Sequence, residues 1–531
     1  MKKPMQAARY CYAEHKAVAL IVLSFIGMLL MSRYFAFLDE ADNCLGALAI
    51  VRGGAIYRDF FSQHTPMMYY FVSLLAAVGI DSYWGFRLGF AVLLFIMWML
   101  MYVRYHARFG KITMALFPVF YLLLIPQSWG HMVLSDVIQG HFYMLLFLEI
   151  VMCVKVKEMR FSSMIIVSAA VFMTVGVAFV ALYSVFFLLA ALMLNELKKY
   201  VIEKNKRRLF VRHSAFVGIV LAPFAIYAIY IVSLGIADEA IFQMYTFNRT
   251  IYSQYIGGFG ENAIKPFFDV LAGFFNHMVA SLTINPKNHL TLINIVLYAS
   301  IPFALVKMKK QFELPWSGIG LLFLSIAYTT IRGVSGFHAV SYYCITCLFL
   351  AYIVNAVVQN AKTGEAQSVS HFAQKAVAVA LVGVLFVASM VDFIPSGYAS
   401  LAGMANGREM VTDEGLIRVI EASTEPGEPI WLASIGIPYF YFHTDRIPAA
   451  RAYAIVPWFA DQYSDEIISD LERTQPKYIR FDEEVDVWGY LQKDFAAKIY
   501  DYIKENYTSH DGANYFRNDI YEDVLIKLGA S

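Results

Sequence analysis

Charge is what this sequence has least of. Only 16% of its 531 residues are Asp, Glu, Lys or Arg, and the net charge is +1; a soluble globular chain carries about a quarter. A nucleic-acid binder needs a basic surface to meet phosphates, so that class is excluded. Cysteine is scarce as well: Cys11, Cys44, Cys153, Cys344 and Cys347 are the whole set. No pair is placed to staple an external domain, and the C-terminal part has none, which excludes a disulfide scaffold. Cys344 and Cys347 fall inside an apolar run and read as small core residues. There is no internal repeat, no low-complexity tract and no inverted pair of interrupted helices of the kind many transporters show.

What is present is apolar length. Hydrophobic residues make up 59% of the chain and the mean hydropathy is +0.55. Runs of about 20 residues, enough to cross ~30 Å of hydrocarbon, recur through the first three-quarters. They predict spanning helices near 17–35, 84–103, 112–130, 137–154, 161–176, 178–195, 213–234, 289–306, 314–331, 338–357 and 373–394. The first run lacks a small-residue cleavage site and reads as a spanning helix rather than a removed signal peptide. The stretch 66–80 is apolar but short, and reads as a re-entrant or interfacial helix. The expected architecture is a polytopic α-helical membrane protein of about 11 spans over residues 1–395, followed by an α/β domain over 396–531.

The loop charges orient this chain. With the N-terminus cytoplasmic, the inside loops gather nearly all the loop lysines and arginines, including Lys204, Lys206, Arg207 and Arg208, as the positive-inside rule requires. The outside segments 36–65, 131–136, 235–288, 332–337 and everything after 395 carry most of the loop carboxylates. In the C-terminal domain, Pro429–Ala433 and Lys477–Phe481 read as short buried strands, and Phe495–Tyr507 as an amphipathic helix by its apolar spacing. Ile520–Leu528 reads as a closing strand. Tyr439, Tyr441, His443 and Arg446 serve either packing or contact with a glycan.

The richest chemistry follows the first span: Asp39, Glu40 and Asp42 open an amphipathic helix, and Arg52, Arg58, Asp59 and His64 follow within the same external segment. Acidic residues at a helix start complement its dipole, but charges concentrated where a helix leaves the bilayer mark a site more often than decoration. A second segment, His131 to Asp136, places Asp136 either as a cap or on the same membrane face as Asp39. A third, 235–288, holds Tyr245, Asn248, Arg249, Tyr252, Tyr255, the run Gly257-Gly-Phe-Gly260 and Lys265, a composition suited to a mobile lid. The fourth, Arg332 to His338, puts an Arg and a His at a helix junction, where they bind a phosphate or snorkel to the interface. The Asn-x-Thr sequons at Asn248 and Asn506 match by chance too easily to imply a host.

The order of helices and loops resembles the bacterial branch of the GT-C glycosyltransferase superfamily, relatives of protein O-mannosyltransferases and of the lipid A aminoarabinose transferase. The likeness rests on Asp39-Glu40, the run Gly53 to Asp59, the block Gln63-His-Thr-Pro-Met-Met-Tyr-Tyr70, Gly85-Phe-Arg-Leu88, and Asp136 where that family has a second external Asp. The resemblance implies a polyprenyl-phosphate-linked sugar as donor and reaction on the outer face of a bacterial cytoplasmic membrane. It also implies Asp39 as catalytic base with Glu40 beside it. Two departures stand out. Leu182 falls about where family members carry a donor-phosphate Lys, and Thr65 replaces a second Pro beside Pro66. Arg332, Arg249, Arg87 and His64 are the candidate replacements, in that order, with Arg58, Asp59 and His338 as further substrate contacts.

The chemistry asks for these residue types in its own right. Transfer from a sugar phosphate passes through an oxocarbenium-like state; it needs a carboxylate to take the acceptor proton and a cation to steady the departing phosphate. Asp39 fits the first task, an Arg the second, and Asp136 orients the acceptor or holds Asp39. The acceptor is left open among envelope glycan, glycolipid and protein, and inversion is expected. A divalent metal between Asp39 and Asp136 is compatible with the residues but not required by their spacing. The rival class, a secondary transporter, calls for charges near the bilayer midplane. The spans offer only Glu149 and Arg87, both near span ends.

Overall fold

A computed structural model of the chain describes residues 2–155, 159–202, 206–256, 265–282, 288–334, 336–362, 369–406, 413–509 and 511–529. It divides into two compact units. The first comprises Met1–Tyr34, Leu88–Tyr230 and Ala263–Ala402; the second comprises Phe35–Arg87, Ile231–Asn262 and Gly403–Ser531. The boundary expected at 395 falls inside a continuous helix, Val369–Ala405, that carries Pro395 within it.

The first unit is helical. Helix α1 runs over Lys2–Leu30. Among the described residues seven helices are long and apolar enough to cross a membrane: Tyr83–Phe109, Ser135–Val154, Phe179–Lys198, Phe210–Ser233, His289–Phe312, Phe337–Gln359 and Lys375–Ala405. Each coincides with a predicted span. The other four predicted spans fall on α1 and on three shorter apolar helices, Lys111–Leu123, Phe161–Val177 and Trp316–Thr330. The predicted span 112–130 breaks at Leu124, where the helix gives way to Ile125–Ser128 and a left-handed Trp129.

Glu149, one of the two charges expected within spans, is fully buried and bound by Arg104 through two hydrogen bonds of 2.6 and 2.7 Å, with Tyr105 donating a third at 2.5 Å. Taken alone, a carboxylate at that depth is costly, and the pairing offsets its burial. At Gly140 a Cβ would stand 3.1 Å from the backbone nitrogen of Ser341, so helices Ser135–Lys155 and Val340–Lys362 meet there backbone to backbone.

The second unit gathers three separated stretches. Helices α2, Leu38–Val51, and α3, Met67–Ala76, lie side by side. At 10 residues and about 1.5 Å per residue, α3 is half the length of a span, in line with the reading of 66–80. Helix α4, Tyr83–Phe109, starts in this unit.

The C-terminal stretch supplies strands β1 Pro429–Leu432, β2 Ile447–Pro448, β3 Tyr478–Arg480, β4 Asp486–Val487, β5 Tyr490–Leu491, β6 Tyr507–Ser509 and β7 Asn514–Arg517. Five form a mixed sheet in the order β2-β1-β3-β7-β6, parallel on the β2-β1-β3 side and antiparallel on the other; β4 and β5 form a separate hairpin. Trp431, Ile479, Phe481, Leu471, Ile499 and Ile503 build its core, which also takes in Phe61 and Phe247 from far upstream.

The strands predicted at 429–433 and 477–481 and the helix predicted at 495–507 are present, the last as Ala497–Asn506. The closing strand predicted at 520–528 is instead a helix, Tyr521–Leu528. Glu522 and Asp523 sit in its first turn and Lys527 in its last, charges that suit a helix dipole. Gly529 at φ 73 ends it in the left-handed conformation. The sheet is closed by β7, whose three consecutive core residues, Asn514, Tyr515 and Phe516, are all buried.

Candidate functional site

Helix α2 begins with acidic residues that its dipole favours, and helical phase then separates their fates. Residues three apart share a face, whereas the residue between them points elsewhere. Asp39 and Asp42 both line a solvent-open cavity of about 680 Å³, together with Phe61, Ser62, Gln63, His64, Tyr453, Trp458, Phe459 and Trp488. Glu40 turns inward instead. Its carboxylate accepts from Arg87 Nε at 2.8 Å and Nη2 at 2.6 Å, and Tyr83 donates a further hydrogen bond to it. Both side chains of the pair are 0% exposed. Arg87 also donates to the carbonyl of Phe35 at 2.6 Å, and Tyr439 packs edge-on against the Tyr83 ring at 5.1 Å. The pair therefore clamps the start of α2 to the start of α4.

Asp42 is held by a chain of hydroxyls. Tyr69 Oη donates to Asp42 Oδ2 at 2.7 Å and sits 2.8 Å from Ser62 Oγ. With the tyrosine proton committed to the carboxylate, Ser62 is the donor of that second bond. The Ser62 amide donates to Gln243 Oε1 at 2.9 Å, and Gln243 Nε2 donates to the Tyr57 carbonyl at 2.9 Å. Gly46 lets α2 approach this chain: a Cβ there would collide with the rings of Tyr69 and Phe60.

Burial pushes the Asp42 carboxyl up from 3.8 to about 7; the Tyr69 bond offsets this in part, and the charge of Asp39 adds to the rise. A carboxyl raised in this way takes up a proton on folding between pH 3.8 and about 7. Its contribution to stability is complete below the lower value and lost as pH rises through the upper one. Wild-type protein is expected to melt at progressively lower temperature from pH 6 to pH 8, whereas Asp42→Asn, which keeps an acceptor for Tyr69, melts nearly independently of pH over that range. At pH 8 the variant should be the more stable by roughly 2 kcal/mol, part of the shift being screened at the open mouth. Thermal unfolding followed across pH checks this.

The other predicted residues of this unit lie elsewhere. Arg58 and Asp59 pair with each other at 2.8 Å and are largely exposed; the guanidinium holds Asp59 below the usual carboxylate range. Arg249 is exposed on the helical run 237–256, with Tyr245 Oη at 3.2 Å. That run packs Phe247, Ile251, Tyr252 and Tyr255 onto the C-terminal core. The glycines of 257–260 lie outside the described residues. Tyr439 and Tyr441 are buried, and Arg446 is tied to Thr424 and Thr444, so these three are packing residues.

The first unit brings a separate set together. Asp136 opens helix Ser135–Lys155, almost fully buried, with Arg332 Nη1 at 3.3 Å and His338 Nδ1 at 3.6 Å. Both side chains remain partly exposed. Among the described residues no group of three or more His, Cys, Asp or Glu is placed to hold a metal ion.

No protein-family model and no curated protein sequence matches the chain. Solved structures do. The Archaeoglobus fulgidus oligosaccharyltransferase, determined with a tethered acceptor peptide, aligns over 95% of this chain and 74% of its own with a TM-score of 0.50 and 12% identity. ArnT from Cupriavidus metallidurans in the apo state aligns over 95% of this chain and 98% of its own with a TM-score of 0.51 and 13% identity. Both are GT-C superfamily membrane glycosyltransferases. At these identities the likeness is one of fold, the kind of likeness that the order of helices and loops led one to expect.

The sequence points to Asp39 but gives no role of their own to Asp42, Ser62 or Tyr69, the last standing only within the motif block 63–70, and it leaves Trp458 and Trp488 unmarked. Asp42 was within reach, since an i, i+3 carboxylate shares the face of Asp39; the aromatic residues, some 400 positions downstream, carried no local signal.

Proposed function

We propose that this chain is a membrane glycosyltransferase that moves a monosaccharide from a polyprenyl-phosphate-linked donor to an envelope acceptor. The observation that carries this reading is the pairing of Asp39 and Asp42 on one helix face in an open cavity, with Asp42 holding a proton up to about pH 7. Asp39 is assigned the role of general base; Asp42, its carboxyl raised towards 7 by burial, is assigned a different one beside it.

In the reaction, Asp39 takes the proton of the acceptor hydroxyl as its oxygen bonds to the anomeric carbon. The bond from that carbon to the phosphate oxygen breaks, and polyprenyl phosphate leaves with the electron pair. Attack opposite the leaving group inverts the anomeric centre. Arg332, paired with Asp136, is the cation proposed for the departing phosphate. No step is routed through a metal. Glu149 neutralised by Arg104, and Arg87 by Glu40, give no support to transport.

The test is a mass-spectrometric comparison of envelope glycans and lipid-linked sugars in cells with and without the protein. Loss of one sugar from an acceptor, with accumulation of its lipid-linked donor, supports the reading; identical profiles at high expression overturn it. The loop charges support a cytoplasmic N-terminus and a C-terminal domain outside. A reporter fused after Ser531 should accordingly be active only if it works outside the cytoplasm, and a cytoplasmic signal would reverse the orientation.

A further inference from the structure

Three features of the second unit converge on the cavity that holds Asp39, and none is explained by the roles above. The first is the tip of the β4–β5 hairpin. Val487 pairs with Tyr490, leaving a two-residue turn of Trp488 at φ 53 and Gly489 at φ 90. Such a turn needs both residues in the left-handed region and favours Asn-Gly. A bulky residue at the first position is a conformational outlier, and strain of that kind persists where a site uses it. Trp488 is 60% exposed, lines the cavity, and stacks on Trp458 with ring centroids 5.0 Å apart.

The second feature is Trp458 itself. It is 4% exposed and lines the same cavity, yet among the described residues its indole Nε1–H has no hydrogen-bond partner. A buried indole N–H ordinarily finds one. The third is Gln63, also in the lining, whose buried Oε1 has no hydrogen-bond partner among the described residues. The cavity lining thus carries an aromatic face and two residues, Trp458 and Gln63, that each hold a buried polar atom unpaired among the described residues. Its charged lining is Asp39 and Asp42, with no Lys or Arg among the described lining residues.

We propose that this cavity is the acceptor subsite and that the acceptor is a neutral carbohydrate. A pyranose ring lies on the exposed face of Trp488, one hydroxyl accepts from Trp458 Nε1–H, and another donates to Gln63 Oε1. This rests on the glycosyltransferase reading above and names its acceptor class. The weakly positive C–H edges of a sugar suit the negative face of an indole. A hydroxyl both donates and accepts, so one chemical class satisfies both orphan atoms. A phosphate or other anion would be opposed by the carboxylates, and an isoprenoid chain would leave the donor and the acceptor buried and unpaired.

The experiment uses the full chain in lipid nanodiscs, with methyl glucoside, methyl mannoside, maltose and cellobiose as neutral probes and undecaprenyl phosphate as the lipid probe. Binding is read by saturation-transfer NMR and by tryptophan fluorescence. At least one neutral saccharide should give a transfer signal with wild type that falls about fivefold or more in Trp488→Asn and in Trp458→Phe, the loss one ring stack or orphan donor carries. Trp488→Asn restores the relaxed turn, so it should melt no lower than wild type and separate ligand loss from misfolding. With an active acceptor, its KM should rise by a similar factor while the donor KM stays unchanged.

The proposal is overturned if no saccharide gives a signal, if the signal survives both substitutions, or if undecaprenyl phosphate alone perturbs the tryptophans. Saccharide binding with the expected variant losses, but no transfer in any cell or assay, would overturn the glycosyltransferase reading and leave the carbohydrate site standing.

Discussion

Asp39→Asn is expected to lower sugar transfer by about 10²–10⁴-fold, the range a general base contributes, while leaving the folded protein in the membrane. The substitution is close to isosteric and Asp39 lines an open cavity. The lost dipole interaction at the start of α2 costs about 0.3–1 kcal/mol. The measurement is turnover of lipid-linked sugar onto acceptor, followed by mass spectrometry of both, at matched expression. Near-normal turnover would remove Asp39 from the base role. If Asp42→Asn then lost activity in its place, the base would be the carboxyl with the raised pKa, poised near 7.

The second large effect is expected at the buried pair of Glu40 and Arg87. Arg87→Met leaves a carboxylate with 0% exposure and no cation, and breaking such a pair by removing one partner costs roughly 3–5 kcal/mol. The protein should show a sharply reduced folded yield and a lower unfolding temperature in detergent. The double variant Glu40→Met/Arg87→Met should recover most of that loss, because two apolar residues of similar length replace two charges that no longer need each other. Size-exclusion yield and thermal unfolding of the three variants read this directly. The alternative is the donor-phosphate role the sequence suggested for Arg87. It predicts the opposite pattern: Arg87→Met folds normally and loses transfer, and the double variant rescues nothing.

The two outcomes mark what could and could not be seen in the chain. Span positions were legible because apolar runs against a charge-poor background leave little ambiguity, and Cys344 and Cys347 are buried within one of them, as expected. The strands at Pro429 and Tyr478 were legible because each is a short continuous apolar run. The last element was misread because Val524-Leu-Ile526 looks like a strand when the flanking charges and Gly529 are given less weight than the apolar triplet. At the site, Asp39 stood out by its neighbourhood in sequence. The separation of Glu40 from Asp42 did not, since it depends on helical phase and on Tyr83, Arg87 and Tyr69, each supplied 27 to 47 residues away. Asp136, Arg332 and His338 were noted singly, and their meeting 196 and 202 residues apart in the chain was beyond any local pattern.

The shared core of the second unit sets an order on biosynthesis. Phe61 and Phe247 are buried among residues that start at Trp431 and end at Tyr515, and the amide of Phe61 bonds to the carbonyl of Arg451. Nothing upstream can substitute for those partners. The carboxylates of α2 therefore wait on an unfinished wall, and the cavity they line comes into being only after the residues from Trp431 to Tyr515 have been made. A chain cut short before the sheet would lose the enclosure of its first external loop, even with every residue of that loop intact.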